Sequence, residues 1–312
     1  MSCAAARSCS RSSRSLFRTH HACRHYSSRS TPRTSQRGIP LALAAFSGAG
    51  IFGYFSWQWL QSSDSAQRQL SYAYFTPLTI RAIKPVTSDS SVVSLSLPKE
   101  LLPDLSQYPD PPDTPLQAIY VRQPELQIQR AYTPLSLEGF KVEADEERSI
   151  ELLIKRYRDG EVSSYVHRQG PGDQLWVRGP VRTWTLPDAD ELIFIAGGTG
   201  LTPLIQLLSQ REKLPKSIKL VYSASNPERS LLSLLPSTEG VSVHQLFSRL
   251  TFKDLQKLVK QPTNGRKTQI VVCGPEDFIT DIAGRRSLNA HQDPVGGMLA
   301  KLGWREDQVK KL

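Results

Sequence analysis

Segment 197–203 combines residue types that can hold a nucleotide, since it reads Gly-Gly-Thr-Gly-Leu-Thr-Pro directly after the apolar run 191–196. A glycine-rich turn between a strand and a helix lets a nucleotide approach the backbone, and the helix N-terminus favours its phosphate charge. Thr202 as the N-cap and Pro203 in the first turn predict a helix that runs to about Arg211. The glycines differ from the G-x-G-x-x-G fingerprint, so the nucleotide site is predicted from the strand before them and the helix after them.

Two earlier segments contain groups that suit a diphosphate and a planar ring. Arg130 and Tyr132 lie two residues apart on a predicted strand and therefore point to the same face, and Pro134 ends the pairing. A guanidinium binds a diphosphate through two donors, and a phenol ring can lie against a planar heterocycle. Segment 160–165, Gly-Glu-Val-Ser-Ser-Tyr, begins a short helix with free N–H groups and hydroxyls, which favours an anion. An ordinary strand–turn and an ordinary helix cap are the alternatives for the two segments taken singly.

Cys273, Gly274 and Pro275 follow the apolar run 269–272. Because ligands of parallel α/β sheets bind beyond the carboxyl ends of the strands, these residues and segment 197–203 are expected at one site. A buried small hydrophobic residue is the alternative interpretation of Cys273. The other three cysteines lie near the N-terminus, so the sequence predicts neither a disulfide framework nor a metal site.

Two different periodicities divide the chain. From Phe75 to Pro180, apolar and polar residues alternate over short runs separated by turn residues, which predicts about six antiparallel strands closed into a barrel. The proline-rich stretch 98–115 interrupts them and is predicted to be a surface loop. From Glu191 onward, continuous apolar runs alternate with helical tracts, as is typical of a parallel sheet covered by helices. The predicted fold class is therefore a six-stranded β barrel followed by an α/β domain.

The positive charge of the chain is concentrated at one end. The formal net charge is +10, from 39 basic and 29 acidic side chains among 312 residues. Eight arginines precede Gly38 and the first acidic residue is Asp64, so the remaining 31 basic side chains exceed the acidic ones by only two. A nearly neutral folded part argues against a nucleic-acid-binding domain.

The N-terminal 60 residues have the composition of targeting and membrane segments. Residues 1–37 are rich in arginine and serine, without acids or an apolar run, which indicates a mitochondrial transit peptide. Residues 39–60 are uncharged and would span about 33 Å as a helix, enough for a bilayer core of about 30 Å. The basic flank before this predicted transmembrane helix would keep the N-terminus in the matrix and leave the rest facing the intermembrane space. A disordered basic tail and a buried soluble helix are the alternatives for the two segments.

Four segments in order resemble a known family. They read Arg-Ala-Tyr-Thr-Pro-Leu-Ser, Gly-Glu-Val-Ser-Ser-Tyr, Gly-Gly-Thr-Gly-Leu-Thr-Pro and Val-Val-Cys-Gly-Pro, and they resemble ferredoxin-reductase-like flavoproteins, in particular the NADH–cytochrome b5 reductases. The resemblance runs from Phe75 to the C-terminus. It implies an FAD-binding barrel over residues 72–186 and an NAD(P)-binding domain over residues 187–312. The predicted inner-membrane location also resembles that of fungal flavoproteins that assist cytochrome c maturation.

The resemblance implies a role for each matching residue. Arg130 would hold the FAD pyrophosphate, Tyr132 would pack on the isoalloxazine, and Thr133 would approach the flavin N5 region. The place where nicotinamide meets flavin would be bordered by Cys273, Gly274 and Pro275. The residues assigned to cofactor binding are Arg130, Tyr132, Thr133, Pro134, Gly160, Val162, Ser163, Gly198, Thr199, Gly200, Thr202, Cys273, Gly274 and Pro275. The residues assigned to catalysis are Tyr132, Thr133 and Cys273.

Three segments depart from the family pattern. Residues 181–184, Val-Arg-Thr-Trp, replace the stretch expected near the flavin edge, which affects the acceptor geometry. Segment 223–229 contains Glu228, which suits the ribose hydroxyls of NADH, and Arg229, which could pair with the extra phosphate of NADPH. The chain ends at Leu312 without the terminal aromatic residue of many relatives, which predicts looser nicotinamide docking.

The predicted function is therefore that of a membrane-anchored, FAD-dependent oxidoreductase. Hydride would arrive from NADH or NADPH, and electrons would leave to a haem-type acceptor, either cytochrome b5 or haem destined for cytochrome c. The predicted partners are thus a haem protein or haem and the inner mitochondrial membrane, with no nucleic acid. A non-catalytic assembly or scaffold protein that kept the fold is the alternative.

Overall fold

The computed structural model describes residues 69–103, 115–136, 148–261, 265–286 and 294–312. All of these residues belong to one compact unit of the chain. The predicted transit peptide, residues 1–37, and the predicted transmembrane helix, residues 39–60, lie outside them. In the described ranges, no helix has the length and apolar character that crossing a membrane requires.

The first half of the described chain is an antiparallel sheet of six strands in the order β4-β3-β6-β1-β2-β5. The strands are β1 (Thr76–Thr87), β2 (Ser90–Leu97), β3 (Pro115–Gln123), β4 (Ile128–Tyr132), β5 (Arg148–Lys155) and β6 (Gln174–Thr185). Helix α1 (Glu161–Val166) connects β5 to β6. Just after β4, Pro134 forms a β-bridge with Leu152 of β5, which joins the two edges of the sheet. This arrangement confirms the predicted six-stranded barrel.

Alternation along the strands explains how this sheet buries one face. Ile119 and Val121 of β3 have no exposed surface, while Tyr120 and Arg122 between and after them are partly exposed. In the loop predicted after β2, a short 3₁₀ helix spans Lys99–Leu101, and residues 104–114 lie outside the described ranges. Proline is tolerated as the first residue of β3 because a strand's first position needs no ladder donor.

The second half is a parallel sheet of five strands in the order β11-β10-β7-β8-β9. Its strands are β7 (Glu191–Gly197), β8 (Ser217–Ser223), β9 (Val241–Leu246), β10 (Thr268–Cys273) and β11 (Val309–Lys311). Its helices are α2 (Thr202–Leu208), α3 (Phe252–Leu258), α4 (Glu276–Ala283) and α5 (Gly297–Lys301). Strand β7 is buried almost along its whole length because it lies between β10 and β8 and under helices. The predicted parallel α/β domain is therefore confirmed.

The start of α2 differs from the prediction. Residues Gly198–Leu201 form a 3₁₀ helix that runs directly into α2, so Leu201 is the N-cap and Thr202 is already helical. The Thr202 hydroxyl donates to the Thr199 carbonyl at 3.2 Å instead of capping the helix. The prediction of Thr202 as N-cap was wrong because the glycine-rich turn is itself helical. Helix α2 also ends at Leu208, before the expected Arg211.

The two domains share part of their core. Val92, Leu116 and Leu153 of the barrel pack in one cluster with Leu204 and Leu208 of α2. These side chains are 0 to 6% exposed, so the contact between the domains is dry. A continuous apolar contact of this kind fixes the barrel against the glycine-rich loop that precedes α2.

Candidate functional site

A cavity of about 810 Å³ lies where the barrel meets the parallel sheet. Its walls come from β3, β4 and the start of α1 on one side, and from the loops after β7 and β10 on the other. This volume is within the range of about 300–1,000 Å³ that small-molecule and cofactor sites occupy.

Most residues predicted from the sequence line this cavity. They are Arg130, Tyr132, Thr133, Gly160, Val162, Ser163, Thr199, Gly200, Thr202, Cys273, Gly274 and Pro275. Pro134 and Gly198 are not among its lining residues. Pro134 is buried behind the cavity in its bridge with Leu152, and Gly198 has a φ of +54° that turns the chain out of β7. Both therefore act on the backbone that presents the lining residues.

Strand β4 supplies the cation and the phenol. Arg130 is exposed towards the cavity, and its guanidinium donates to the Gln129 carbonyl at 2.9 Å. Burial raises the pKa of Tyr132 to about 12, although the nearby Arg130 charge acts in the opposite direction. The Tyr132 phenol is therefore neutral at physiological pH and offers an aromatic face with one hydroxyl.

The turn before α1 uses its serine hydroxyls internally. Ser163 Oγ accepts from the Tyr157 N–H at 3.1 Å and donates to the Gly160 carbonyl at 3.0 Å. Ser164 Oγ donates to the Tyr157 carbonyl at 3.2 Å. The Ser163 hydroxyl therefore donates within the turn, and its predicted contact with an FAD phosphate stays a prediction. A Cβ on Gly160 would lie only 2.5 Å from Ser163 Oγ, so the turn requires glycine.

Two loops of the parallel sheet meet at the opposite wall. Ala196 of β7 and Cys273 of β10 are paired in the sheet, so the loops that follow them leave the same edge. Gly200 packs so closely on the second loop that a Cβ there would lie 2.7 Å from the Gly274 nitrogen. Such a contact is shorter than packed atoms tolerate, so Gly200 is needed for the loops to come together.

The thiol of Cys273 lies where the two loops meet. Burial raises its pKa to about 12, against the opposing effects of the Arg286 charge and the Gly274 N–H. The thiol therefore stays protonated and acts as a small, weakly polar side chain in the cavity wall.

We expect Cys273 to resist alkylation and to leave no step in a pH profile. With a pKa of about 12, only about 10⁻⁴ of the thiol is ionised near pH 8, so iodoacetamide should react about 1,000-fold more slowly than with an ordinary cysteine. Peptide mapping by mass spectrometry distinguishes Cys273 from the other cysteines. Alkylation at the rate of a free thiol, or a kinetic step between about pH 6 and 9 that Cys273→Ala removes, would contradict this assignment.

Several cavity residues were missed by the sequence analysis. Lys155 and Tyr157 lie at the end of β5, with Lys155 Nζ 5.6 Å from the Tyr157 ring centroid. Arg286, Lys310 and Lys311 line the cavity from the other domain. The local signal for Lys155 and Tyr157 was their position directly after the buried apolar run 152–154, where β5 ends. With Arg130, the cavity therefore has five basic side chains in its lining. They outnumber the three acidic ones, Asp159, Glu161 and Glu276.

Of the three segments that depart from the family pattern, two contribute a residue to the cavity lining. Thr183 lines the cavity and donates to the Leu116 carbonyl at 3.1 Å. Arg229 forms an ion pair with Asp89 of the barrel at 3.2 Å, and it does not line the cavity. A nucleotide 2′-phosphate would therefore compete with Asp89 for Arg229. Leu312 lies in the cavity wall.

The donor set of the barrel fits a flavin dinucleotide. A family model described as "Oxidoreductase FAD-binding domain" matches residues 77–186, which extend from β1 to just beyond β6. This segment is an FAD-binding domain. It contains Arg130, Tyr132 and the α1 turn, and the family match confirms the predicted resemblance and FAD as cofactor. In the described ranges, no group of histidine, cysteine, aspartate or glutamate could hold a metal ion.

Relatives that match most of the chain extend the comparison to the second domain. An uncharacterised FAD-binding protein of Schizosaccharomyces pombe is 29% identical over 276 residues, covering 86% of this chain and 95% of that protein. NADH-cytochrome b5 reductase 2 of Mycosarcoma maydis is 24% identical and covers 93% of both chains. The cytochrome c mitochondrial import factor CYC2 of Saccharomyces cerevisiae is 26% identical, covering 63% of this chain and 72% of that protein.

A solved structure has the same fold as both domains. The CS-b5R domains of human Ncb5or, in an NAD⁺ form, superimpose with a TM-score of 0.59 and 20% identity, covering 76% of this chain and 69% of that one. The barrel and the parallel sheet thus have the two-domain fold of that solved structure.

Proposed function

We propose that the protein is an NAD(P)H-dependent FAD reductase that passes electrons to a haem-type one-electron acceptor. The observation that carries this proposal is the single cavity in which the β4 residues of the FAD-binding domain face the loops after β7 and β10. A flavin and a nicotinamide must lie in contact for hydride transfer, and a fixed cavity between two domains provides that contact.

The residues on the barrel side bind and orient the flavin cofactor. Arg130 would hold the diphosphate through its guanidinium, and the backbone of the first turn of α1 would contribute N–H groups. Tyr132 presents an aromatic ring at the end of β4 for the isoalloxazine, and Thr133 follows it in the cavity wall. Lys155 adds a second positive charge to the barrel side of the cavity.

The residues on the sheet side hold the pyridine nucleotide. Thr199, Gly200 and Thr202 would line its path, and the pair 274–275 would border the nicotinamide together with Cys273. The buried apolar contact between the domains holds the two walls of the cavity against each other. When bound, FAD and NAD(P)H supply the hydride and one-electron chemistry.

The names of two relatives support the proposed acceptor, and the N-terminal sequence supports the proposed location. A relative named as a cytochrome b5 reductase and another named as a cytochrome c import factor both support a haem-type acceptor. We further propose that residues 1–37 direct the chain to mitochondria, and that residues 39–60 anchor it in the inner membrane with both domains in the intermembrane space. Protease should then cleave the domains in mitoplasts and spare them in intact mitochondria.

The proposed reaction is tested by stopped-flow mixing of the purified full-length holoenzyme. Flavin reduced by NADH or NADPH without oxygen is mixed with cytochrome b5, free haem or cytochrome c. Reoxidation by at least one of these acceptors within the time of a catalytic cycle supports the proposal. Flavin that is reduced by the nucleotide but oxidised by none of them would contradict a haem acceptor, and flavin inert to both nucleotides would favour the scaffold alternative.

A further inference from the structure

Gln206 is a polar residue in a completely buried helix. All seven residues of α2 are buried, and Gln206 itself has no exposed surface. A buried amide is costly unless its donors and acceptor find partners. Its three partners are all backbone groups of the FAD-binding domain, not of the domain to which α2 belongs.

The amide of Gln206 makes three hydrogen bonds to two residues of the barrel. Its Oε1 accepts from the Gln117 N–H at 2.8 Å, and its Nε2 donates to the Gln117 carbonyl and to the Pro134 carbonyl, each at 3.0 Å. The two carbonyl partners determine which end of the amide is the nitrogen.

The position of these groups in the sheet explains why a side chain is needed. Strands β3 and β4 are antiparallel with Ile119 opposite Tyr132, so two residues further along this register Gln117 lies opposite Pro134. Proline has no N–H, so it cannot donate the ladder hydrogen bond expected there. The Gln206 amide supplies a donor to the Gln117 carbonyl in place of the missing proline N–H, and it also accepts from the Gln117 N–H and donates to the Pro134 carbonyl.

We propose that Gln206 is a positioning residue for hydride transfer. It ties α2 and the preceding loop with Thr199 and Gly200 to the end of β4, immediately beside Tyr132 and Thr133. Gln206 touches neither ring; it acts by fixing the two cavity walls relative to each other. The expected effect on the reduction rate rests on the proposed function. The hydrogen bonds themselves can be tested without any reaction.

The first variant is Gln206→Leu in the full-length holoenzyme. We expect the ratio of FAD to protein to be unchanged and flavin reduction by NADH or NADPH to slow by about 10- to 100-fold, since a misplacement of about 1 Å can cost about 100-fold in rate. The long-wavelength charge-transfer absorbance of the complex between nucleotide and flavin should weaken. Reoxidation of the dithionite-reduced protein by ferricyanide should keep its wild-type rate.

Ile205→Val is the matched control, since Ile205 is the neighbouring buried residue and its side chain belongs to the apolar cluster. We expect this variant to keep the reduction rate. Amide hydrogen exchange over residues 115–123 gives the readout that needs no turnover, since the Gln117 N–H should exchange faster in Gln206→Leu only. Unchanged exchange together with an unchanged reduction rate would overturn the inference, as would loss of FAD from Gln206→Leu.

Gln206→Glu tests the same idea if the leucine variant does not fold. A protonated carboxyl can accept from Gln117 and donate to one carbonyl, whereas an ionised carboxylate cannot donate. The reduction rate of this variant should therefore rise as pH falls, and the wild type should lack this dependence. A pH-independent rate equal to that of the wild type would refute the inference. If the wild type itself is not reduced by either nucleotide, the proposed function fails, while the exchange measurement still tests the Gln206 contacts.

Discussion

Arg130→Ala should lose FAD during gel filtration while the protein remains folded. Arg130 is a cation of the cavity wall on the barrel side, and its exposed guanidinium is available to a diphosphate. A charge-assisted hydrogen bond contributes about 1.5–3 kcal/mol, so losing two of them should weaken FAD binding by about 3 kcal/mol or more, roughly 100-fold. The measurement is the ratio of visible flavin absorbance to protein, followed by a titration of the apoprotein with FAD.

Arg168→Ala is the matched control for this experiment. Arg168 is also exposed and follows α1, but it does not line the cavity. We expect this variant to keep the wild-type FAD content and affinity. Full retention of FAD by Arg130→Ala would contradict the role of Arg130 in the diphosphate site.

Gly200→Ala should slow reduction by the pyridine nucleotide and leave FAD bound. The added Cβ would clash with the backbone of Cys273 and Gly274, which cannot move aside as the end of a flexible side chain could. Overpacking of this kind typically costs about 1–3 kcal/mol and moves the loops apart. A shift of about 1 Å in the nicotinamide site should lower the rate of flavin reduction by about 100-fold.

Gly170→Ala is the matched control, since a Cβ there would have only Asp173 Oδ2 nearby, at 3.8 Å. Both variants are compared by anaerobic stopped-flow reduction and by thermal unfolding. We expect the control to match the wild type in both measurements. Reduction of Gly200→Ala at the wild-type rate would show that the contact between the two loops does not position the nucleotide.

Local patterns predicted the parts of the fold that depend on burial. Strand β7 was recognisable as a continuous apolar run because it is covered on both faces. The two-residue period of a strand was enough to predict that Arg130 and Tyr132 lie on the same face of β4. Both are properties of a few neighbouring residues, and neither depends on contacts with distant parts of the chain.

The missed residues depend on long-range contacts. Lys310 and Lys311 reach the cavity because β11 pairs with β10, and no local pattern indicates which strand a three-residue segment will join. Arg229, which could pair with the extra phosphate of NADPH, has an ion-pair partner in Asp89 of the barrel that no local pattern indicates. Gln206 did carry a signal, since it is the polar residue of an otherwise apolar tract, but its partners lie in another domain.

The proposed contact between nicotinamide and flavin lies in the cavity between Tyr132 and Cys273. Its most direct test is an anaerobic titration of the purified, FAD-loaded full chain with NADH and, separately, with NADPH, following the visible flavin absorbance. We expect the absorbance to bleach with at least one nucleotide at about one equivalent per flavin. A protein that dithionite bleaches but that stays yellow with an excess of either nucleotide would contradict it.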